Sequence, residues 1–324
     1  MVFGILDANS DQQYVKIRMT FGGNSDLIGM TSNPELFIPP ASLEVRIGEF
    51  EEDGKVDYIL QRDVMVKDPG IFSVSNNVIY GGLFKVKGGS TYQLEIQDIP
   101  SGLEIKSSTV AIDPPKLRFP LGGNLFNFAD TVNPFYVKYE PTGSVHLQQF
   151  FINFAEMLHS GDTVFRTVRF DLNPRFKHPL RPVITYTRTY SKDYLLNIMR
   201  MLIKADENVA ERQLFSFDII IWAGDQYLKD YLQLSAKYND HRRLFFSNIE
   251  GGLGLFAACS HVMIEEIYPR QQFFDTIARA ERLKQLHFAN RRFSGEFIKS
   301  KAGQDNYLDF LITGSKAVTD INTE

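Results

Sequence analysis

The chain has 324 residues, 44% of them apolar and 23% charged, and its 35 basic and 39 acidic side chains leave a formal net charge of −4. Those values fit a folded chain long enough for two domains, and exclude a disordered tail, a collagen and a bundle of membrane helices. The slightly acidic total gives no footprint for nucleic acid, and the single cysteine, Cys259, forbids an intrachain disulfide.

Met1-Val2-Phe3-Gly4-Ile5-Leu6-Asp7 lacks the basic start and apolar run of a signal peptide. No stretch of about 18 apolar residues is present to span a membrane as a helix. Met1 stands directly before a predicted strand, so the expectation is a processed form from which a targeting segment has been removed. Charge divides unevenly. Residues 1–113 carry 9 Lys/Arg and 16 Asp/Glu, whereas residues 114–324 carry 26 and 23. Two folding units with different surfaces are expected.

The first unit, 1–113, reads as strand and turn throughout. Tyr14–Met19, Leu43–Ile47, Tyr92–Ile96 and Leu103–Lys106 alternate apolar and polar residues, the period of a half-buried strand. Turn signals separate them: Gly22-Gly23-Asn24, Pro39-Pro40, Asp53-Gly54, Asp68-Pro69-Gly70, Gly81-Gly82, Gly88-Gly89 and Pro100-Ser101-Gly102. Glu49–Val56 predicts a hairpin turn. Many short strands with regular turns predict an immunoglobulin- or fibronectin-like β-sandwich, without the Cys and Trp pattern of antibody domains. Asp113-Pro114-Pro115 ends the unit, because two prolines stiffen the chain and cannot continue a central strand.

The second unit, 114–267, predicts an α+β domain on an antiparallel sheet or open barrel. Strands are expected at Phe135–Tyr139, Val145–Phe154, Thr163–Leu172, Val183–Tyr190, Phe215–Trp222, Leu253–Ala258 and His261–Ile267. Ser191 caps a helix carrying Leu195, Ile198, Met199 and Leu202 at helical spacing. Asp225 begins another, with Tyr227, Tyr231, Leu234 and Tyr238 along one stripe. Residues 268–324 form a basic, largely helical extension, helical over 271–292. The chain as a whole is thus predicted to be mainly β with some α.

Motifs for chemistry are sparse. No HExxH, paired CxxC, phosphate loop or nucleophile elbow occurs, so no catalytic residue, metal site or cofactor is assigned. The six histidines are scattered, and His146, among apolar and amide neighbours, reads as structural. Asp7-x-Asn9-x-Asp11 begins like a calcium loop, but Gln12 and Arg18 stand where Gly and Glu are needed, so a polar turn is expected. Asp218 lies within an apolar strand, where alternation is compatible with a solvent-facing position, and Glu250 stands beside glycines. No catalytic carboxylate pair is assigned to them. Gly251, Gly252 and Gly254 read as a structural motif needing close packing or positive φ. Cys259 is expected to be buried and inert. Of the pairs Phe135/Tyr136 and Tyr186/Tyr190, alternation along a strand turns one ring outward, suited to sugar or protein contacts. Arg279, Arg282, Lys284, Arg291 and Arg292 form a candidate docking set for an acidic partner or lipid head groups.

Several stretches together carry a family likeness. Phe3–Asp7, Gln13–Arg18, Asp68–Phe72 and Tyr92–Ile96, followed by Asn248-Ile249-Glu250-Gly251-Gly252-Leu253-Gly254-Leu255-Phe256, resemble a group of uncharacterised Bacteroidota outer-membrane lipoproteins. The resemblance implies a cell-envelope protein held by an N-terminal lipid anchor that lies outside this chain. It implies, as partner, an outer-membrane β-barrel protein or other envelope subunits; the two-domain β architecture, the absent catalytic motifs and the basic tail then lead to the expectation of an accessory or adaptor role without enzymatic activity. A glycan- or nutrient-binding lipoprotein is the alternative, and a hydrolase is the third reading.

Overall fold

The computed structural model describes residues 1–19, 38–51, 54–65, 77–177, 183–237 and 246–297. The predicted turns at Gly22-Gly23-Asn24 and Asp68-Pro69-Gly70, together with His178, His241, Lys299 and Lys301, lie outside the described residues.

The strands, in chain order, begin with β1 (Val2–Asp7), β2 (Gln12–Ile17), β3 (Glu44–Glu51), β4 (Gly54–Met65), β5 (Asn77–Leu83), β6 (Thr91–Asp98) and β7 (Leu103–Val110). There follow β8 (Lys116–Phe119), β9 (Leu125–Phe126), β10 (Phe135–Glu140), β11 (Val145–Leu158), β12 (Thr163–Asp171), β13 (Arg175–Phe176) and β14 (Tyr186–Tyr190). The remainder is helix α1 (Lys192–Leu202), β15 (Val209–Gly224), helix α2 (Gln226–Lys237), β16 (Gly254–Pro269), helix α3 (Gln271–Arg279) and a 3-10 helix over Glu281–Leu286. The chain is therefore mainly β with a few helices, and among the described residues no barrel closes.

Two compact units form, and neither is a single stretch of chain. The first contains Met1–Pro114, Thr142–Val145 and Ala223–Ser260; the second contains Pro115–Pro141, His146–Trp222 and the chain from His261. Residues 142–145 and 223–260, placed by sequence in 114–267, thus belong to the first unit.

In the first unit the strand order is β16-β1-β2-β5-β4-β3-β6-β7. Neighbours from β1 to β7 are antiparallel, but β1 runs parallel to β16, in register from Val2 opposite Gly254 to Asp7 opposite Cys259. The sheet is mixed because the chain's first strand lies beside one drawn from far along the sequence. The predicted hairpin forms with Glu51 opposite Gly54. β4 first pairs with β3 and then with β5, carrying the sheet round so that inner faces meet. One core results, joining Val2, Leu6, Val15 and Phe256 to Val45, Ile47, Leu94 and Ile96. Alternation in β6, with Tyr92, Leu94 and Ile96 buried, matches the sequence pattern. On the outer face Lys55 of β4 lies 3.0 Å from Asp57 on its own strand and 3.1 Å from Glu95 on β6.

In the second unit β12, β11, β15 and the latter part of β16 are successive neighbours, and β14, β10 and β8 form a small separate sheet. Ser191 Oγ accepts a hydrogen bond from Tyr194 N at the start of α1, and Leu195, Ile198, Met199 and Leu202 face the core as their spacing predicts. Two expected strands, 253–258 and 261–267, are one continuous strand, β16. The helix expected over 271–292 ends at Arg279, because Ala280 is extended. Phe273, Phe274 and Ile277 satisfy an α spacing. Leu283 and Leu286, three apart and both buried, then continue in a 3-10 turn, whose period is three.

Candidate functional site

The small sheet positions a loop-built groove. In β10 the odd residues Phe135, Val137 and Tyr139 are buried, so Tyr136 faces outward, 39% exposed. Of the two aromatic pairs, Phe135 is inside and Tyr136 outside, and Tyr190 is buried while Tyr186 is half-buried. Phe119, from neighbouring β8, stacks on Tyr136 with ring centroids 4.5 Å apart, and Phe126 meets Phe119 edge-on at 5.3 Å. With Asn127, Val132, Asn133, Pro134 and Thr189 these rings line a groove of about 330 Å³. Side-chain turns fix the loops around it. Asp130 Oδ1 accepts from Val132 N and Asn133 N, both at 2.9 Å, and these bonds lower its carboxyl pKa. Asn127 Oδ1 accepts from Ala129 N at 3.1 Å. Val132, in the Asp130 turn, is 84% exposed, and Leu121 and Leu125, earlier in the chain, are 63% and 55% exposed. An exposed apolar side chain beside an aromatic groove makes this loop a candidate contact surface.

A second concave place contains charge. Glu156, on β11, receives Arg212 Nε at its Oε1 and Arg166 Nε at its Oε2, each over 2.9 Å. Arg212 is 1% exposed, and it also donates to the carbonyls of Leu286 and Lys204 at 2.9 and 3.0 Å. Its backbone N–H donates to His287 O, and Ala289 N donates to Arg212 O. The residue therefore ties β15 to the segment after the 3-10 helix. A cavity of about 560 Å³ opens beside the three charges, bounded also by Phe154, Val168, Leu202, Ile203 and the turn Lys204–Asn208.

A polar seam crosses the larger sheet of this unit. Thr167 Oγ1 donates to Asn153 Oδ1, and Asn153 Nδ2 donates to Ser216 Oγ and to Asp218 Oδ2. Asp218 Oδ1 accepts from Glu266 N at 2.8 Å. Asp218 does not face solvent: it is buried, and its carboxylate joins β11 to β16 at Glu266, which has a φ of 57°. Further along, Trp222 Nε1 donates to Gln149 Oε1, Gln149 Nε2 donates to Asp171 Oδ1, and Arg169 lies 3.2 Å from Asp171. Burial raises the Asp171 carboxyl pKa against the lowering pull of Arg169.

The basic side chains singled out by sequence do not form one row. Arg282 bonds Asn197 at 2.8 Å and pairs with Asp193, both on α1. Arg291 pairs with Glu211 at 2.7 Å, and Lys284 lies 3.6 Å from Glu281. The Arg292 guanidinium sits 4.5 Å from the centre of the Tyr268 ring. Arg279 is exposed in the last turn of α3.

In the first unit, Gly251 has φ 73° and Gly254 φ 139°. A Cβ at Gly254 would lie 1.8 Å from Val2 O, and one at Gly251 2.5 Å from Glu104 O, whereas Gly252 would meet only side chains at 3.3 Å and beyond. Asn248 completes the motif: its side chain donates to Phe256 O and accepts from Phe256 N, imitating a neighbouring strand. Glu250 is exposed and its backbone bridges Lys106. The Asp7–Asp11 segment is a turn, with Asp7 Oδ1 accepting from Asn9 N and Gln13 Nε2 donating to the carbonyls of Asp7 and Ser10. Cys259 is buried, and burial raises its thiol pKa. In the second unit His146 is buried, its ring 5.3 Å from that of Tyr186 and 5.7 Å from that of Tyr139. Among the described residues no group of three or more His, Cys, Asp or Glu side chains is placed to hold a metal.

Sequence reasoning missed the Glu156–Arg166–Arg212 cluster, because nothing in residue spacing links positions on three strands. Phe119 and Val132 were also missed. For Val132 the signal was an apolar residue inside a loop sequence, where a bulky side chain has no core to enter; Phe119 ends β8 and packs partly against the core. No protein-family profile matches the chain, and no curated protein matches it.

Proposed function

We propose that this chain is a non-enzymatic accessory or adaptor subunit of the cell envelope that docks on an outer-membrane β-barrel protein. The observation that supports docking is the groove over Phe119 and Tyr136, lined also by the 84% exposed Val132. Apolar side chains on braced loops gain most when a partner removes them from water, at about 25 cal/mol per Å² of area covered. The compartment, the barrel partner and a lipid anchor rest on the family resemblance. Isolation of the lipid-anchored protein from gently solubilised envelopes tests the reading, with a barrel protein expected in stoichiometric amount beside it.

The stacked Phe119/Tyr136 pair, flanked by the amides of Asn127 and Asn133, favours a second reading, a glycan site. Calorimetry with envelope-accessible polysaccharides separates the two, since a docking surface for protein gives no heat with a glycan.

A further inference from the structure

We propose that the outward face of the small sheet, beside the groove, binds an extended acidic segment of a protein partner. An apolar side chain of that segment sits in the groove and its carboxylates lie over Lys138. This rests on the docking reading and names what the partner presents. In β10 Phe135, Val137 and Tyr139 are buried, so Tyr136, Lys138 and Glu140 face outward. Thr189 and Thr187 of β14, both exposed, stand opposite Tyr136 and Lys138. On β8, the other neighbour of β10, Lys116 and Arg118 are exposed. Arg175 meets the edge of β14, where its Nη1 donates to Thr187 O at 3.3 Å.

The charges here do not cancel. Lys116, Arg118, Lys138 and Arg175 stand against Glu140 and, in the groove loop, Asp130, which leaves an excess of positive charge. Both acids are already engaged: Glu140 Oε1 accepts from Arg118 Nε at 2.8 Å, and Asp130 Oδ1 accepts from two backbone N–H groups. Among the described residues neither Lys116 nor Lys138 is in an ion pair. A partner of opposite charge is therefore steered to this face. Spacing sets its form. Residues two apart on a strand stand about 7 Å apart on one face, and an extended polypeptide has the same repeat. Alternate side chains of such a segment meet Tyr136 and then Lys138. The groove walled by Phe119 and Tyr136 is lined by no charged residue, so the segment carries an apolar residue followed two positions later by Asp or Glu. A glycan and a lipid surface lack the strand repeat, which favours protein.

The test is isothermal titration of the full chain with four probes: a glutamate–tyrosine copolymer, polyglutamate, polygalacturonate and phosphatidylglycerol vesicles. Saturable, salt-sensitive binding of the copolymer is expected, with weaker binding of polyglutamate, which lacks an anchor for the groove, and of the other two. Lys138→Glu should weaken the copolymer about fivefold or more, since reversal removes a surface attraction and adds a repulsion. Lys138→Arg should bind like wild type, and so should Lys284→Glu, the same charge change on the 3-10 helix. Silence with the copolymer, polyglutamate binding as tightly, tighter binding of polygalacturonate or of vesicles, or equal losses from Lys138→Glu and Lys284→Glu would each overturn the proposal. The probe ranking uses the unmodified protein, so it stands even if a variant folds poorly. Failure of the docking reading is distinguishable. A barrel protein lost by Val132→Asp but kept by Lys138→Glu removes the acidic segment and leaves docking. Copolymer binding at Lys138 with no barrel protein recovered removes the barrel and leaves the acidic segment.

Discussion

Arg212 donates from Nε to Glu156 Oε1 over 2.9 Å, a buried contact between residues 56 positions apart in sequence. Because Arg212 also satisfies the carbonyls of Lys204 and Leu286, it holds two loops against one strand. Arg212→Met should therefore cost about 3–5 kcal/mol, the usual result of stripping one partner from a buried pair. Urea unfolding measures this. A loss below about 1 kcal/mol, the scale of a surface pair, would show that the contact is not structural.

The exposed pairs behave differently. Arg282→Ala and Arg291→Ala break contacts open to solvent, so each should change unfolding free energy by no more than about 1 kcal/mol. Measuring the two variants at low and high salt checks the assignment, because screening should erase the small difference.

Gly254 and Gly252 stand two residues apart yet should respond oppositely. Gly254→Ala places a methyl group into Val2 O at a φ of 139°, which disrupts the parallel pairing of β1 with β16. A loss of several kcal/mol, or failure to fold, is expected from such strain and overlap. Gly252→Ala meets only side chains of Ile249 and Ile105 and should cost about 1 kcal/mol or less. Equal thermal midpoints for the two variants would contradict the geometry.

Asp225 links pH to stability in the first unit. Its carboxylate accepts from Leu228 N at 2.7 Å and Ala258 N at 3.0 Å and from the Thr109 hydroxyl, yet burial pushes its pKa from 3.8 up to about 6. A folded pKa above the unfolded one means that the folded state holds the proton more tightly. The stabilisation from that proton is complete below pH 3.8 and is lost as pH rises through about 6. It amounts to about 3 kcal/mol at 1.36 kcal/mol per pKa unit. Stability curves from pH 4 to 7 should show a falling component in wild type that Asp225→Asn lacks. Parallel curves for the two proteins would refute it.

Local pattern made much of the fold legible. The alternation in β6 and β7 and the Ser191 cap are short-range features, and each is where the sequence places it. Pairing of distant segments left no such trace. Nothing near Val2 announces that Gly254 lies opposite it, and nothing near Glu156 announces Arg212. The break at Ala280 was hidden because Leu283 and Leu286 also satisfy a helical stripe, and only packing distinguishes a 3-10 turn. Asp218 illustrates the limit of alternation. It shows which face a side chain takes, but not whether that face is covered, and here the acid is buried among Asn153, Ser216 and a backbone N–H. Alternation made one ring of the pair Phe135/Tyr136 legible as outward without saying which, whereas the exposure of Val132 depends on an Asx turn at Asp130.

The claim that this chain acts by docking is tested most directly by affinity isolation of the lipid-anchored protein from gently solubilised envelopes, beside a Val132→Asp variant. The wild-type protein should bring down one barrel protein in stoichiometric amount. The variant should lose it while unfolding at the same temperature, because Val132 is exposed and bears no part of the core. Recovery of the wild-type protein alone, at matched expression, would contradict the account; retention of the barrel by Val132→Asp would move the contact away from the groove.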